Sequence, residues 1–588
     1  MLVQWIASVS EGWMGNRIGG GPPFSGGVLR VTVKSRRVGA GGAARGTTRG
    51  PSSCASAGPH QNFGENEACA RPGALNPACA WSQGGSGVAQ LVSLPGRRAS
   101  AASRSFGLAR LNWPGRGRCT HPVPGIGAYL RGTPTRYTGT MHHPFRTLVL
   151  TTIVSLLTLV GSLAAQESRT VIRNVRIWDG TSDALSAPSS ILVSGEMIER
   201  IATGEITEEG ASVIDAGGRI VIPGLMDMHT HLSIIDGSSR LRDDLDWMYV
   251  GAVAGDEAER MLMRGFTTVR DLGGPTVGLA QAIDEGRIDG PRIYSSGAFI
   301  SQTSGHGDSR HANEPHPYLT GELHAWDRMG WVHLADGPDH VTRSVREVLR
   351  TGATQIKVMA GGGVASTFDP IETIQYTPEE LRAAVVAARN YGTYVAVHAY
   401  TSASIRQALE AGVQCIDHGM LIDDETMQLL KEKDAFLSPQ AHLFMTEPPA
   451  DWDWLTEDQL RKMRQVSDGL DNEMKLAKRH GVRIVLGTDL FGARAHEQSL
   501  EFGARLKWFE PVDVLRQATS GSAELLARTT YRNPYKDGPL GVLVEGAYAD
   551  LLIVDGNPLE DLRLLETPAE NLLLIMKGGE VYKNTLDS

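Results

Sequence analysis

Eight apolar or β-branched runs occupy the middle of the chain. They cover residues 220–231, 266–271, 292–299, 354–360, 393–399, 413–418, 435–439 and 482–489. Helical patterns lie between most of them, for instance 378–391, 402–411 and 471–480, and the last two end in Ala-Gly and His-Gly, which are common helix stops. Eight alternating strand and helix units over about 310 residues are typical of a (β/α)8 TIM-like barrel.

Both ends of the body of the chain show short strand patterns separated by turn signals. They cover residues 171–178, 190–194, 198–201 and 212–215 at one end, and 549–554, 571–577 and 580–582 at the other. We therefore expect an α/β protein in which 224–534 form the barrel. Residues 166–223 and 535–588 are expected to meet in a small composite β-sandwich domain.

The first 165 residues differ from the rest. Residues 1–140 carry 16 Lys and Arg against 3 Asp and Glu and have no sustained period, which predicts disorder or an upstream extension read from a wrong start. Residues 141–165 read as a signal peptide that begins at Met141 and is cleaved after Ala164 or Ala165, so that the protein is periplasmic or secreted. The alternatives are a genuine tail with a signal-anchor helix and a nucleic-acid-binding arm. The second is disfavoured because it lacks interleaved aromatic residues.

Composition excludes two classes of protein. Four of the five cysteines fall in residues 1–140, and Cys415 is the single cysteine of the body, which excludes a disulfide scaffold. With 41% hydrophobic residues an integral membrane bundle is excluded as well. No stable membrane span is expected after signal cleavage, because the apolar run 147–160 is shorter than the roughly 20 residues a span requires.

Residues that bind metals stand where predicted barrel strands end, the position of active sites in such barrels. His229 and His231 share a face of the first strand, since residues i and i+2 point the same way. His398, His418 and Asp489 end the fifth, sixth and eighth strands. Each alone has an ordinary structural explanation. Together they are a set of imidazole and carboxylate ligands that suits zinc or a similar divalent ion.

Lys357 stands inside the apolar fourth strand, where an unpaired ammonium group is costly to bury. It is either a snorkelling or salt-bridged lysine, or a lysine carboxylated by CO2. A carbamate is anionic and has two oxygens, so it could bridge two cations. At the end of the second strand, Arg270 and Asp271 are interpreted as a structural ion pair.

This constellation resembles the amidohydrolase superfamily over about residues 170–588. More narrowly, SSGAFISQTSGHGD at 295–308, ADGP at 335–338 and IKVMAGGGV at 356–364 resemble its branch of metal-dependent carboxypeptidases, Xaa-Pro dipeptidases and ochratoxinases. One departure is Gly361, where the branch leads us to expect a small polar residue. It puts the fit of the strand-4 loop to substrate in doubt and leaves metal binding untouched.

The resemblance implies two divalent ions, zinc being the first expectation. His229 and His231 would hold one ion and His398 and His418 the other, with carboxylated Lys357 as the bridge. The resemblance also places Asp489 beside the first ion as the general base. Relatives of this kind commonly assemble, so a homo-oligomer is expected.

The expected substrates are small molecules, namely dipeptides or N-acyl amino acids that lose their C-terminal amino acid by amide hydrolysis. His306, between two glycines, is a candidate oxyanion or substrate contact, and Tyr400 is a candidate substrate contact on the face of His398. Two alternatives are a mononuclear deaminase or cyclic-amidase relative such as imidazolonepropionase, and a non-catalytic periplasmic binding protein. No nucleic-acid partner is expected.

Overall fold

The computed structural model describes residues 168–586, apart from 238–243, 245, 449–451 and 453. The interpretations of 1–140 and of the signal peptide lie outside the described residues. The strands are β1 (Arg169–Ile177), β2 (Ser189–Ser194), β3 (Met197–Thr203), β4 (Ser212–Asp215), β5 (Ile220–Pro223), β6 (Leu225–Thr230), β7 (Phe266–Asp271), β8 (Arg292–Ser295), β9 (Phe299–Ser301), β10 (Val332–Leu334), β11 (Ile356–Met359), β12 (Val395–Thr401), β13 (Cys415–Leu421), β14 (Phe436–Ser438), β15 (Arg483–Ile484), β16 (Leu551–Val554), β17 (Leu572–Lys577) and β18 (Glu580–Asn584).

Helices follow most of the strands between β6 and β16. The α-helices are α1 (Trp247–Met263), α2 (Val277–Asp284), α3 (Pro317–Thr320), α4 (Ala325–Met329), α5 (Pro338–Arg350), α6 (Pro378–Arg389), α7 (Ser402–Ala411), α8 (Asp424–Glu432), α9 (Ala441–Met445), α10 (Glu457–Ser467), α11 (Leu470–His480), α12 (Glu501–Arg505), α13 (Pro511–Gln517), α14 (Ser520–Leu526) and α15 (Pro568–Asn571). Short 3-10 helices cover Gly492–Leu500, Ala527–Arg532 and Leu562–Glu566.

The predicted helices begin and end where local chemistry requires. Thr377 and Glu380 form a capping box at the start of α6, with Pro378 in the first turn. α7 and α11 end at Gly412 and Gly481, both in the left-handed conformation that glycine adopts without steric cost. In the part of the chain that the structure describes, no helix combines the length and apolarity needed to cross a membrane.

One eight-stranded sheet combines both ends of the described chain. Its order is β18-β17-β16-β5-β1-β2-β3, with β4 paired to β1. The ends meet where β16 pairs antiparallel with β5, so that Leu552 lies opposite Ile222. Strands from the two predicted terminal segments therefore share hydrogen bonds.

Parallel strands form a three-stranded sheet, β6-β7-β8, and a seven-stranded sheet, β10-β9-β11-β12-β13-β14-β15. Backbone hydrogen bonds of 2.8 Å also join β6 to the segment after β15, from Met228 to Leu486 and from Asp489 to His229. The fold is mixed α/β with parallel sheets, which is consistent with the predicted TIM-like barrel. The closed barrel, the separate β-sandwich domain and the boundaries at 224 and 534 remain predictions.

The predicted third strand, 292–299, differs from the observed one. It is divided into β8 and β9 because Gly297, with φ +61°, turns the chain between them. β8 pairs with β7, whereas β9 pairs with β11 and with the unpredicted β10. This break moves the loop that follows β9, which carries His306, to the mouth of the parallel strands.

Candidate metal centre

All the predicted site residues line one cavity of about 460 Å³. They are His229, His231, His306, Lys357, His398, Tyr400, His418 and Asp489. Most belong to β6, β11, β12 and β13 or directly follow a strand, because parallel strands present their carboxyl ends at one side of a sheet. Positions far apart in sequence are therefore brought to one surface.

His229, His418 and Asp489 form the tightest group, with ligand atoms within 4.8 Å of one another. Nε2 of His231 lies 3.2 Å from Oδ1 of Asp489, and Nε2 of His229 lies 3.4 Å from the same oxygen. His418 and Asp489 both have positive φ angles, 75° and 55°. Such backbone strain costs about 1–3 kcal/mol per residue and concentrates at functional sites.

His398 extends this group. Its ring lies 4.5 Å from that of His418, centroid to centroid. Its Nε2 lies 3.1 Å from the backbone oxygen of Gly362, and Nδ1 of His418 lies 2.7 Å from Oε1 of Gln440. Because each of these nitrogens donates to an oxygen, the other ring nitrogen keeps its lone pair for a cation.

The protonation states of the group suit metal binding. Burial lowers the pKa of His229 to about 4 and lowers the pKa values of His398 and His418 well below their ordinary value. Burial by itself would raise the pKa of Asp489, but the imidazoles of His229 and His231 lower it below its usual range. The cavity therefore offers neutral imidazoles and an ionised carboxylate.

A divalent cation fits this donor set. Nδ1 of His231 is buried and has no hydrogen-bond partner among the residues that the structure describes, an unusual state for a polar atom. Neutral imidazoles that converge with a carboxylate are the preferred ligands of zinc and related ions. The cavity therefore brings together nitrogen and oxygen donors of the kind that a divalent cation requires.

Lys357 forms a buried ion pair. The sequence analysis left open whether this lysine is snorkelling or salt-bridged, or instead carboxylated. Its Nζ lies 2.6 Å from Oδ2 of Asp417, whose Oδ1 accepts a hydrogen bond of 2.7 Å from Arg270. Oδ1 of Asp417 also lies 3.4 Å from Nδ1 of His229. Burial would raise the pKa of Asp417, but Lys357 and Arg270 hold it well below the ordinary value.

The interpretation of Arg270 and Asp271 as an ion pair is wrong. Arg270 binds Asp417, whereas Asp271 accepts hydrogen bonds from the backbone N–H of Leu232 at 2.7 Å and from the hydroxyl of Thr276 at 2.9 Å. Successive residues of a strand face opposite sides, which separates the two side chains. No feature of the local sequence indicated that Asp417 would be the partner of Arg270.

The loop between β11 and α6 packs around His306. The backbone N–H of His306 donates to Oε1 of Gln375 at 2.9 Å, and its Nδ1 lies 2.7 Å from Oγ of Ser366. Gly361, the departure from the branch pattern, pairs with Ile374 in this loop. Tyr400 lines the cavity with its ring 4.9 Å from those of both His398 and His418, and its contact with substrate stays a prediction.

Aromatic side chains form much of the remaining wall, and the segment 311–331, whose richness in His, Trp and Pro makes it a candidate for part of that wall, contributes Trp326. Those lining the cavity include Phe299, Trp326, Phe444, Trp452, Trp454 and Phe491. They come from a strand, two short helices and loops that are distant in sequence, and no spacing rule connects them. The cavity thus places an apolar wall beside a polar group of metal ligands, the usual layout of a site for small organic molecules.

Comparison with known proteins places these observations in a family. The profile of the Amidohydrolase family matches residues 220–581. The ochratoxinase of Aspergillus niger is 30% identical over 389 residues, which are 62% of this chain and 76% of that protein. A prolidase crystallised with N-methylphosphonate-L-proline is 32% identical, with a TM-score of 0.66 over 71% of this chain and 100% of that chain. An Xaa-Pro dipeptidase with methionine bound in its active site is 30% identical, with a TM-score of 0.62 over 71% and 100%.

Proposed function

The chain belongs to the amidohydrolase family and is a hydrolase of amide bonds, and from this premise we propose that it releases a C-terminal amino acid from dipeptides or N-acyl amino acids. We propose further that it works with two divalent metal ions, zinc being the first expectation. The observation that carries the proposal is the convergence of four histidines, Lys357 and Asp489 in one cavity.

The residues would divide the ions between them. His229 and His231 would hold one ion, and His398 and His418 the other. Lys357, carboxylated by CO2, would bridge the two ions in place of its present contact with Asp417. Bound divalent ions supply polarisation of a carbonyl group and a water molecule of lowered pKa.

Asp489 is proposed as the general base. Its carboxylate is ionised and lies beside the imidazoles of His229 and His231, so it is ready to accept a proton from an attacking water. The same carboxyl group then returns the proton to the leaving amine. General acid–base work of this kind is worth about 10²–10⁴-fold in rate.

The lining of the cavity supports the proposal that the substrate contains an amino acid. The relatives of known name include an ochratoxinase and dipeptidases whose crystals hold methionine or a phosphonate of L-proline. The aromatic side chains of the present cavity supply apolar surface for a side chain or an acyl group. His306 and Tyr400 are proposed to contact the polar part of the substrate.

A hydrolysis screen tests this function. Xaa-Pro dipeptides, other dipeptides and N-acyl amino acids are compared with their C-terminal amides, with and without chelator. The proposal expects release of a free amino acid that stops on chelation and returns with a divalent ion. Failure of all these substrates with a metal-loaded enzyme would contradict it. About one ion per chain in an active enzyme would favour the mononuclear cyclic-amidase class instead.

We also propose that the protein is exported through the signal peptide that begins at Met141 and that it is a homo-oligomer. Amino-terminal sequencing of protein recovered from the periplasm or medium tests the first point, and expects a start just after Ala164 or Ala165. Sedimentation of the purified protein tests the second. An uncleaved amino terminus or a monomer would contradict the respective point.

A further inference from the structure

His306 lines the cavity beside the loop that follows β11, and part of that loop lines the cavity as well. Its ring stacks on that of His398, with centroids 4.0 Å apart and planes at 12°. Nδ1 faces the loop, where it lies 2.7 Å from Oγ of Ser366 and 3.7 Å from Oδ2 of Asp369. Nε2 is therefore the ring nitrogen that remains for a bound substrate.

The hydrogen bonds of Ser366 fix the proton on Nδ1. A hydroxyl group has one proton to donate, and Ser366 donates it to the backbone oxygen of Gly363 at 3.2 Å. In this arrangement its oxygen accepts a hydrogen bond from Nδ1–H of His306. The nearby carboxylate of Asp369 favours the same arrangement, because it attracts the positive end of the N–H bond.

The carboxylate of Asp369 is buried beside His306 and is held in place by hydrogen bonds. It is 1% exposed, and its Oδ2 accepts hydrogen bonds from the backbone N–H of Gly363 at 2.9 Å and from Nε2 of Gln375 at 3.1 Å. Its Oδ1 is buried and has no hydrogen-bond partner within the described part of the chain. A buried carboxylate is costly unless its charge is compensated, and the ring of His306 is the titratable side chain it faces at 3.7 Å.

The loop itself is held against His306. A β-carbon at Gly363 would lie 1.8 Å from Nδ1, so only glycine allows this approach of the backbone. From α10, the ammonium group of Lys462 binds the backbone oxygens of Gly363, Ser366 and Asp369 at 3.2, 2.8 and 3.0 Å. These contacts keep the carboxylate of Asp369 in register with the ring.

We propose that Asp369 is a positioning residue that acts on His306 together with Ser366. It keeps the proton of His306 on Nδ1 and the ring in its stack on His398, so that Nε2 meets the substrate in one orientation. This inference rests on the proposed function, in which His306 contacts the substrate. A misplacement of about 1 Å in such a contact can cost about 10²-fold in rate.

A double-mutant cycle separates positioning from a general structural role. The variants are Asp369→Asn, His306→Gln and the two combined, each with its metal content measured and its kcat and KM determined on the best dipeptide. We expect about a 10²-fold loss of kcat for His306→Gln, about tenfold for Asp369→Asn, and no further loss in the double variant. Multiplication of the two losses would overturn the proposal.

Substitutions of Ser366 test the same proposal without changing the buried carboxylate of Asp369. Ser366→Ala should lower kcat as Asp369→Asn does, and Ser366→Thr, which keeps the hydroxyl group, should restore it. Glu457→Gln is the matched control, because Glu457 is an exposed carboxylate in the first turn of the same helix as Lys462. A loss of kcat in the control equal to that of Asp369→Asn would overturn the proposal.

Crystal structures of the metal-loaded variants test the inference even if no dipeptide or N-acyl amino acid is hydrolysed, in which case the proposed function fails by itself. We expect the ring of His306 to leave its stack on His398 in Asp369→Asn and in Ser366→Ala. An unmoved ring in both variants would overturn the positioning role.

Discussion

The amine of Lys357 lies 2.6 Å from the carboxylate of Asp417, and both side chains are buried. Carboxylation of the amine would replace this cation by an anion, and Asp417 would keep Arg270, 2.7 Å away, as its remaining partner. Under the proposed carboxylation, the ion pair describes the lysine before it reacts with CO2, and Arg270 would keep Asp417 ionised afterwards.

Replacement of Lys357 tests the proposed bridge. In Lys357→Met we expect the metal content to fall below two ions per chain, because the bridging ligand is missing. Activity should fall by about 10³-fold, since Lewis-acid stabilisation worth several kcal/mol is lost. Metal analysis and kcat measure both effects. The control is Lys475→Met, at an exposed lysine of α11, and an unchanged metal content in Lys357→Met would argue against a bridge.

Replacement of Asp489 tests the general base. In Asp489→Asn we expect kcat to fall by about 10²–10⁴-fold while the fold and the metal content persist, because the amide cannot accept the proton. Circular dichroism and metal analysis accompany the kinetics, with Asp424→Asn, an exposed carboxylate of α8, as the control. Retained turnover would remove Asp489 from this role.

Replacement of Arg270 tests how much its buried ion pair with Asp417 stabilises the fold. Arg270→Met leaves Asp417 buried with one cation fewer, and the loss of one partner of a buried pair costs about 3–5 kcal/mol. Urea unfolding of metal-free protein measures the change. Arg461→Met, which breaks the exposed pair with Asp458, should cost less than about 1 kcal/mol. Equal changes in the two variants would contradict this prediction.

Glu473 on α11 predicts a pH dependence of stability. Both its carboxylate oxygens are buried without hydrogen-bond partners in the described residues, and burial raises its pKa well above the ordinary value. Because the folded-state pKa lies above the unfolded one, the stability from the protonated acid is present below the unfolded pKa, about 4.3. It is lost as the pH rises towards the folded pKa.

In Glu473→Gln this dependence should disappear, so the variant should gain free energy of unfolding relative to wild type as pH rises above about 4.3. The gain at neutral pH should be on the order of 1 kcal/mol or more, since the unfolded wild type gains an ionised group that the fold disfavours. Urea unfolding from pH 4 to 8 measures it. A difference between the proteins that does not change with pH would refute the prediction.

The sequence pointed to residues that the structure brings into one cavity, because His, Asp and Lys stand out at the ends of apolar strands, where parallel strands converge. It did not predict Asp417, which directly precedes His418 and faces Lys357 and Arg270 from other strands. Such partners depend on how strands are placed side by side, and local spacing does not record that. The division of the third strand at Gly297 was missed because Ala298 and Phe299 resume the apolar pattern directly after Ser295-Ser296-Gly297.

The role of Asp369 and most of the aromatic wall were missed for a related reason. Asp369 belongs to a loop without a period, and its meaning comes from the fold of that loop around His306. The aromatic residues of the wall come from separate strands, helices and loops and are joined only by the shape of the cavity. The conformation of such a loop is set by contacts between residues that are far apart in the sequence. The hydrogen bonds from Lys462 to the backbone oxygens of Gly363 and Ser366 are an example.

The most direct test of the central claim is the electron density at Nζ of Lys357 in crystals of the active, metal-loaded enzyme. The account predicts a planar carbamate whose two oxygens each bind one metal ion, with Asp417 bound to Arg270. A bare amine, still paired with Asp417 in a fully active enzyme that holds its metal, would contradict it.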